Sequence, residues 1–395
     1  MKRILFVEDN EVLLELYGML LSGERDRWEV TLAPDAETAL KLVQAKPFDV
    51  VASDMQMPGM NGIQLLSEVR RLHPQTSRII ISGLTDQAEA ADSLNCTHLF
   101  IPKPFDAKTL RATLERIGSL DAFLKDDKLR GLAGKLRTLP SFPALYLEIL
   151  REIESPTSSI QGIATIVAKD PAITAKILHV ANSAAFGLSE KISDSADAVQ
   201  MLGMTTVRSL VLSAQVYSNF APGRVKGFSA DALWSHLMKC GDLARAILRH
   251  ERADFAECED AFTAGMLHDM GKLMLADSLP DEFSRALELA AGEEISQCEA
   301  EQQVFGATHA GLAAYLLGLW GLPAAIVEAV AFHHTPEQSE LKKCSALTAV
   351  HVANALCDST GHAALNLEYL AEIGVADRLD DWREVAAELQ MEPVA

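Results

Sequence analysis

At 395 residues with a formal net charge of −20, the chain is long enough for two or three domains with sizeable cores, and its surplus of acid opposes a phosphate-backbone partner. Residues 1 to 120 hold 13 Lys and Arg against 17 Asp and Glu, so −16 of the charge falls on the remainder, where no basic helix-turn-helix is present to bind DNA. Six cysteines (Cys96, Cys240, Cys258, Cys298, Cys344 and Cys357) without a C-x-x-C pair, and no signal peptide before them, imply reduced thiols and a cytoplasmic protein.

Arg3 to Val7, Val30 to Ala33, Val50 to Ser53, Arg78 to Ser82 and Leu99 to Ile101 are short strand-like runs. Between them apolar residues recur at helical spacing: Leu13, Leu16, Leu20 and Leu21, then Ala36, Leu40 and Val43, then Leu65, Leu66 and Val69. Asp35 and Asp106 stand where N-caps belong, and His73-Pro74 marks a helix end. Five strands alternating with five helices predict an α/β doubly wound, five-stranded parallel sheet, whose ligands gather outside the carboxyl ends of the strands. Glu8 and Asp9 follow the first strand, Asp54 ends the third, Ser82 ends the fourth and Lys103 follows the fifth. Three carboxylates at one edge need a hard cation such as Mg2+ among them, and a neighbouring lysine suits the site to phosphoryl transfer onto a carboxylate.

The segment Asp54-Met-Gln-Met-Pro-Gly-Met-Asn-Gly62 matches the D-x-x-M-P-x-M-x-G signature of receiver domains, and Ile-Pro-Lys103-Pro-Phe matches their lysine motif. Residues 1 to 118 therefore resemble the flavodoxin-like receiver of two-component response regulators. The resemblance implies that Asp54 accepts a phosphoryl group from a sensor histidine kinase or phosphotransfer protein. It further implies Asp9 as a direct Mg2+ ligand, Glu8 as a water-mediated one and Gln56 as a carbonyl ligand, with Lys103 binding the phosphate. Ser82 resembles the switch hydroxyl, and Phe100 the aromatic that turns inward when that hydroxyl moves.

Residues 119 to 138 form a locally basic helical linker in which Leu120, Leu124, Leu132 and Leu136 make either a transmitter or homodimer seam or an ordinary solvated connector. From Leu139 onward apolar residues recur at three and four, as in Ile163, Ile166 and Val167, and the domain is expected to be all-α. Leu312 to Val327 carries no charge, but Gly321 and Pro323 interrupt it, so it reads as two buried helices and not a membrane insertion. Four predicted helices carry histidines: His236, His268 beside Asp269, His309, and His333 beside His334. Such residues drawn from several helices can ligate a transition metal in a bundle core.

Gly265 to Leu273, GMLHDMGKL, resembles the HD motif of metal-dependent phosphohydrolases. Leu139-Pro-Ser-Phe-Pro-Ala-Leu, Lys169-Asp-Pro-Ala, Leu178-His-Val-Ala-Asn182-Ser183-Ala-Ala-Phe-Gly187 and Ala198-Val-Gln-Met-Leu202-Gly203 narrow the resemblance to the HDOD family of output domains. The expected division is a receiver at 1–118, the linker, an HDOD domain at 139–335, and C-terminal helices at 336–395 that complete or pack on it. Asn354 stands where catalytic HD enzymes place a final aspartate, and an amide is the weaker ligand. His333-His334-Thr-Pro also resembles the HD-GYP phosphodiesterases, without their D-G-x-G-Y-P element. The resemblance thus implies a non-catalytic output that changes its contacts with a downstream protein. It leaves a vestigial or regulatory transition-metal site at His236, His268, Asp269, His309 and His333. The alternative is a phospho-regulated metal-dependent phosphohydrolase or cyclic-dinucleotide phosphodiesterase using that site.

Overall fold

The structure, a computed structural model, describes residues 2–21, 27–73, 76–82, 97, 99–103, 105, 110–111, 114, 129, 132–133, 144–155, 157–181, 192, 194–218, 225–320, 322–358 and 364–391. Two compact units are present, one built on Met1–Phe142 and the other on Pro143–Ala314 with Leu322–Ala395.

The first unit is a five-stranded, wholly parallel sheet in the order β2-β1-β3-β4-β5. Its strands are β1 (Lys2–Val7), β2 (Trp28–Ala33), β3 (Val50–Asp54), β4 (Ser77–Ser82) and β5 (Leu99–Pro102). Because side chains alternate across a strand, Leu5, Val7 and Val51 feed one core and Ile4, Phe6, Val50 and Ala52 the other. Helices α2 (Ala36–Ala45) and α3 (Gly62–Leu72) cover the first face, while α1 (Glu11–Leu20) lays Leu14 and Tyr17 on the second. Asn10, Asp35 and Asn61 cap these helices through their side chains, Asn61 in a capping box with Gln64. The five-stranded parallel sheet and the Asp35 cap agree with the sequence reading. The fourth expected helix, the Asp106 cap and the Asn182–Gly187 motif lie outside the described residues, as do the fifth expected helix apart from 110, 111 and 114 and the linker apart from 129, 132 and 133.

The regular elements among the second unit's described residues are all helices. It runs α4 (Ala144–Glu154), α5 (Ile160–Val167), α6 (Pro171–Ala181), α7 (Ser195–Leu202), α8 (Met204–Ser218), α9 (Ala230–His250), α10 (Phe255–Leu267), α11 (Met270–Ser278), α12 (Pro280–Glu293), α13 (Gln297–Phe305), α14 (His309–Leu319), α15 (Ala324–Phe332), α16 (Ala346–Cys357), α17 (Leu367–Glu372) and α18 (Leu379–Met391). The centre is α9 packed along α10 and α16, with α15 against both α10 and α16. The uncharged stretch near residue 320 divides between α14 and α15 as expected, and no helix among the described residues is long and apolar enough to cross a membrane. The C-terminal helices are tied to this bundle by Trp382 Nε1, which donates to Glu251 Oε1 at 2.9 Å, and by the Tyr369 and Thr348 hydroxyls at 2.8 Å.

His236 sits inside α9 as its periodicity predicts, whereas His268, His309 and His333 stand at helix ends. His268 and His333 are the C-caps of α10 and α15, Asp269 precedes α11, and His309 opens α14. The reason lies in helix ends: the last carbonyls of a helix lack amide partners, and a histidine there can donate to one of them. His268 Nδ1 is 2.7 Å from Gly265 O, and His333 Nδ1 is 2.8 Å from Val330 O.

Candidate functional sites

The parallel sheet carries β1 and β3 side by side, which brings Glu8, Asp9 and Asp54 together at their carboxyl ends, with ligand oxygens within 4.8 Å of one another. Lys103, just past β5, reaches back so that its Nζ lies 2.8 Å from Glu8 Oε2 and 3.0 Å from Asp54 Oδ1. Asp54 Oδ1 also accepts from the Met55 amide at 2.8 Å, and Glu8 Oε2 accepts from the Tyr17 hydroxyl at 3.1 Å. Burial raises the Asp54 pKa and Lys103 opposes that rise without cancelling it. For Lys103 burial acts downward, but the bonds and charges of Glu8 and Asp54 outweigh it and the net shift is upward. Asp9 and Gln56 are exposed beside this group. Ser82 ends β4 as expected and Phe100 lies within β5; their side chains lie outside the described residues. The signature's final residue, Gly62, opens α3 where a Cβ would fall 2.0 Å from the Asp54 carbonyl oxygen, so only glycine lets α3 start this close to the acceptor strand.

In the helical unit a second group converges on Asp269, which is 1% exposed. Its Oδ1 lies 2.9 Å from His309 Nε2 and 3.5 Å from His333 Nε2, and His334 Nε2 is 3.3 Å from His309 Nε2. Its Oδ2 lies 2.5 Å from Lys272 Nζ, 3.7 Å from His268 Nε2 and 3.9 Å from His236 Nε2. The five residues expected from the sequence therefore divide. His309 and His333 join Asp269 and the additional His334 on one side, while His236 and His268 group with Cys240 on the other.

The tautomers are set from behind. Carbonyls accept only, so His268 and His333 carry their protons on Nδ1 and turn lone-pair Nε2 atoms inward. His309 Nδ1 faces Glu301 Oε2 at 2.7 Å, and the same oxygen accepts from the His309 amide at 2.7 Å. His351 takes no part: its Nδ1 donates to His333 O at 2.7 Å and its Nε2 accepts from the Asn366 amide at 2.9 Å, so it buttresses the His333 backbone.

Burial drives the pKa of His268 well down, with neighbouring His333 and His236 adding to the effect against Asp269. His334 is lowered by burial and by the histidines beside it. Burial acts to raise Asp269, but Lys272 and the histidines overwhelm it and hold the carboxylate well below its usual range. His309 moves upward, because Glu301 and Asp269 outweigh its burial.

His268 Nε2 and His333 Nε2 are buried and lack any hydrogen-bond partner, while Asp269 Oδ1 has His309 Nε2 at 2.9 Å. Leaving such atoms unpaired is costly unless something else binds them. Tetrahedral coordination at about 2.0–2.1 Å places neighbouring N and O ligands about 3.3 Å apart. Three of the six edges among Asp269, His309, His333 and His334, at 2.9, 3.3 and 3.5 Å, are of that size, and all four donor atoms lie within 4.8 Å of one another. A divalent transition ion fits this donor set. The rear bonds of His333 to Val330 and of His309 to Glu301 are the kind of outer contacts that orient metal-bound imidazoles.

Gly271 makes the approach possible. A Cβ there would lie 2.1 Å from the His309 carbonyl oxygen, so α11 and the start of α14 touch backbone to backbone. Gly271→Ala is expected to cost about 1–3 kcal/mol by overpacking and to weaken metal binding through displacement of His309, with denaturant unfolding and a metal titration as the measurements. Unchanged stability and metal affinity would contradict this close contact.

Sequence reasoning named His334 beside His333 but left it out of the final metal set, and it missed Lys272, Glu301 and Cys240 as site residues. Lys272 and Cys240 carried a usable signal, being three residues beyond Asp269 and four beyond His236 at same-face helical spacings. Glu301 had none.

Comparisons with known proteins agree with both units. The family model described as HDOD domain matches residues 139–336, and that described as response regulator receiver domain matches residues 4–115. An uncharacterized protein of Treponema pallidum is 26% identical over 206 residues, which are 51% of this chain and 39% of that protein. A response regulator receiver protein of Anaeromyxobacter sp. is 33% identical over 105 residues, 26% of this chain and 43% of that one. The chain thus spans less than half the length of either relative. Among solved structures, an HDOD domain protein of unknown function from Geobacter sulfurreducens superposes with a TM-score of 0.55 at 24% identity, covering 69% of this chain and 94% of that one, which shows the shared fold. With half of its residues matched by one family model and a receiver matched ahead of it, the chain belongs to the HDOD family and carries an N-terminal response regulator receiver domain.

Proposed function

We propose that the protein is a cytoplasmic phosphorelay response regulator in which Asp54 accepts a phosphoryl group from a sensor histidine kinase or phosphotransfer protein. The observation that carries this reading is Lys103 Nζ held between Asp54 and Glu8 at the sheet edge. Among the described residues both donors to Asp54 fall on Oδ1, so Oδ2 is the oxygen assigned as nucleophile. Mg2+, held by Asp9, Asp54 and the Gln56 carbonyl with Glu8 acting through water, would neutralise charge on the transferring group. Lys103 then follows the phosphoryl oxygens, and Ser82 and Phe100 relay the change to the receiver surface.

The HDOD domain is the output, and its action is a change of contacts with a downstream protein or a second copy of the chain. Asp269, His309, His333 and His334 supply four protein ligands to one ion. A closed tetrahedral shell is the arrangement of structural metal sites, whereas catalytic ones keep a position for water. Asn354, whose Oδ1 lies 3.1 Å from His236 Nε2, adds no charge toward a hydrolytic centre. The test is capture from a lysate of the native cell, comparing the acetyl-phosphate-treated parent with Asp54→Asn. Proteins retained by the phosphorylated parent alone are expected. Equal retention by both would overturn the switch, and consumption of a cyclic dinucleotide by the phosphorylated parent would establish the hydrolase reading in its place.

A further inference from the structure

Leu14, Tyr17 and Leu21, spaced three and four apart, form the buried stripe of α1 and its C-cap. Only Tyr17 of the three carries a polar side-chain atom. It is 1% exposed, and its ring packs against Phe6, with centroids 5.4 Å apart, and stacks on Phe105 at 5.7 Å. Phe105 stands two residues beyond Lys103, so the ring ties α1 to the segment that bears the lysine. The hydroxyl donates to Glu8 Oε2 at 3.1 Å, the same oxygen that receives Lys103 Nζ at 2.8 Å. Burial, together with the charges of Glu8 and Asp54, raises the Tyr17 pKa, so the hydroxyl stays a neutral donor. Two donors thus share one oxygen of a carboxylate that is itself 2% exposed, and they differ in mobility. Lys103 Nζ ends a flexible four-carbon stem and also reaches Asp54 Oδ1 at 3.0 Å, whereas the Tyr17 oxygen is fixed by a packed ring.

We propose that Tyr17 is a positioning residue for phosphoryl acceptance, whose hydroxyl keeps Glu8 Oε2 paired when Lys103 turns from Glu8 to the phosphoryl oxygens. The inference rests on the acceptor role proposed for Asp54 and adds a residue to it. Without the hydroxyl, Lys103 is the one donor to that oxygen among the described residues, and its departure leaves a buried carboxylate oxygen unpaired. That is costly, so the lysine is held back in its resting pair. The hydroxyl contributes little while Lys103 remains and more once it has left, and only such a difference shifts the balance between the two states. Tyr17 acts through Glu8 and Lys103.

Beryllofluoride, a phosphoryl mimic that binds an aspartate carboxylate together with Mg2+, tests this on the full chain without turnover. Calorimetry measures the affinity for Mg2+ alone and for beryllofluoride at saturating Mg2+ in the parent and in Tyr17→Phe. Phenylalanine keeps the ring and removes only the hydroxyl, and thermal unfolding checks that the fold is retained. Tyr17→Phe is expected to bind beryllofluoride about tenfold more weakly, the size of a hydrogen bond to a charged group, with Mg2+ affinity changed by less than about threefold. A merely structural role would weaken both together. Equal beryllofluoride affinity in parent and variant, or an equal loss for Mg2+ and beryllofluoride, overturns the role of Tyr17 and leaves the acceptor reading standing. A parent that binds no beryllofluoride, or Asp54→Asn binding it as well as the parent does, overturns the acceptor reading and this inference with it.

Discussion

Replacing Asp54 with Asn is expected to abolish phosphoryl acceptance altogether. Incubated with acetyl phosphate and Mg2+, the parent should gain up to one hydroxylamine-labile phosphate per chain, and Asp54→Asn none. An amide oxygen is too weak a nucleophile to displace the leaving group, and no rotation of the side chain restores a carboxylate. Glu8 does not take over, because it is buried with its Oε2 already engaged by Lys103 and the Tyr17 hydroxyl. The fold should survive, since Lys103 keeps its 2.8 Å contact with Glu8 when the 3.0 Å contact with Asp54 is lost. Label on the variant at the parent's level would show that the acceptor lies elsewhere.

The second large effect concerns stability. Asp269→Ala is expected to destabilise the metal-free protein by about 3–5 kcal/mol, because removing one partner of a buried charge cluster leaves the other charges uncompensated. Lys272, with Nζ 2.5 Å from Asp269, and His309, whose pKa the carboxylate helps raise, are the groups left behind. Denaturant unfolding with a chelator present measures this. A double variant, Asp269→Leu with Lys272→Met, should recover much of the loss, since apolar replacement of a whole buried pair is often neutral. An Asp269→Ala variant within about 1 kcal/mol of the parent, the ordinary cost of a point substitution, would mean that the cluster is not electrostatically coupled.

Much of the receiver unit was legible in the sequence because every level pointed the same way. Short β-branched runs, helical spacing between them, and N-cap residues such as Asp35 all agree with one parallel sheet. The strand-end rule then gathered Glu8, Asp9, Asp54 and Lys103 without knowledge of a single distance. The helical unit was legible in class and in its candidate ligands, but not in where its helices stop. Periodicity carries across His268-Asp269, where no proline announces a break, whereas Pro336, three residues beyond His333, was an available stop signal; at both ends the histidine bonds to a carbonyl three residues back.

The sequence by itself determined the order of the two domains, the parallel sheet and the set of residues able to do chemistry at its edge. Those follow from local period, strand-end position and short motifs, all of which are written along the chain. Only the tertiary structure decided how the histidines divide, that Lys272 neutralises one oxygen of Asp269, and that Cys240 joins His236 and His268. Such pairings join residues up to 118 positions apart, as His236 and Asn354 are. They depend on how helices pack, and no periodicity encodes which faces will meet.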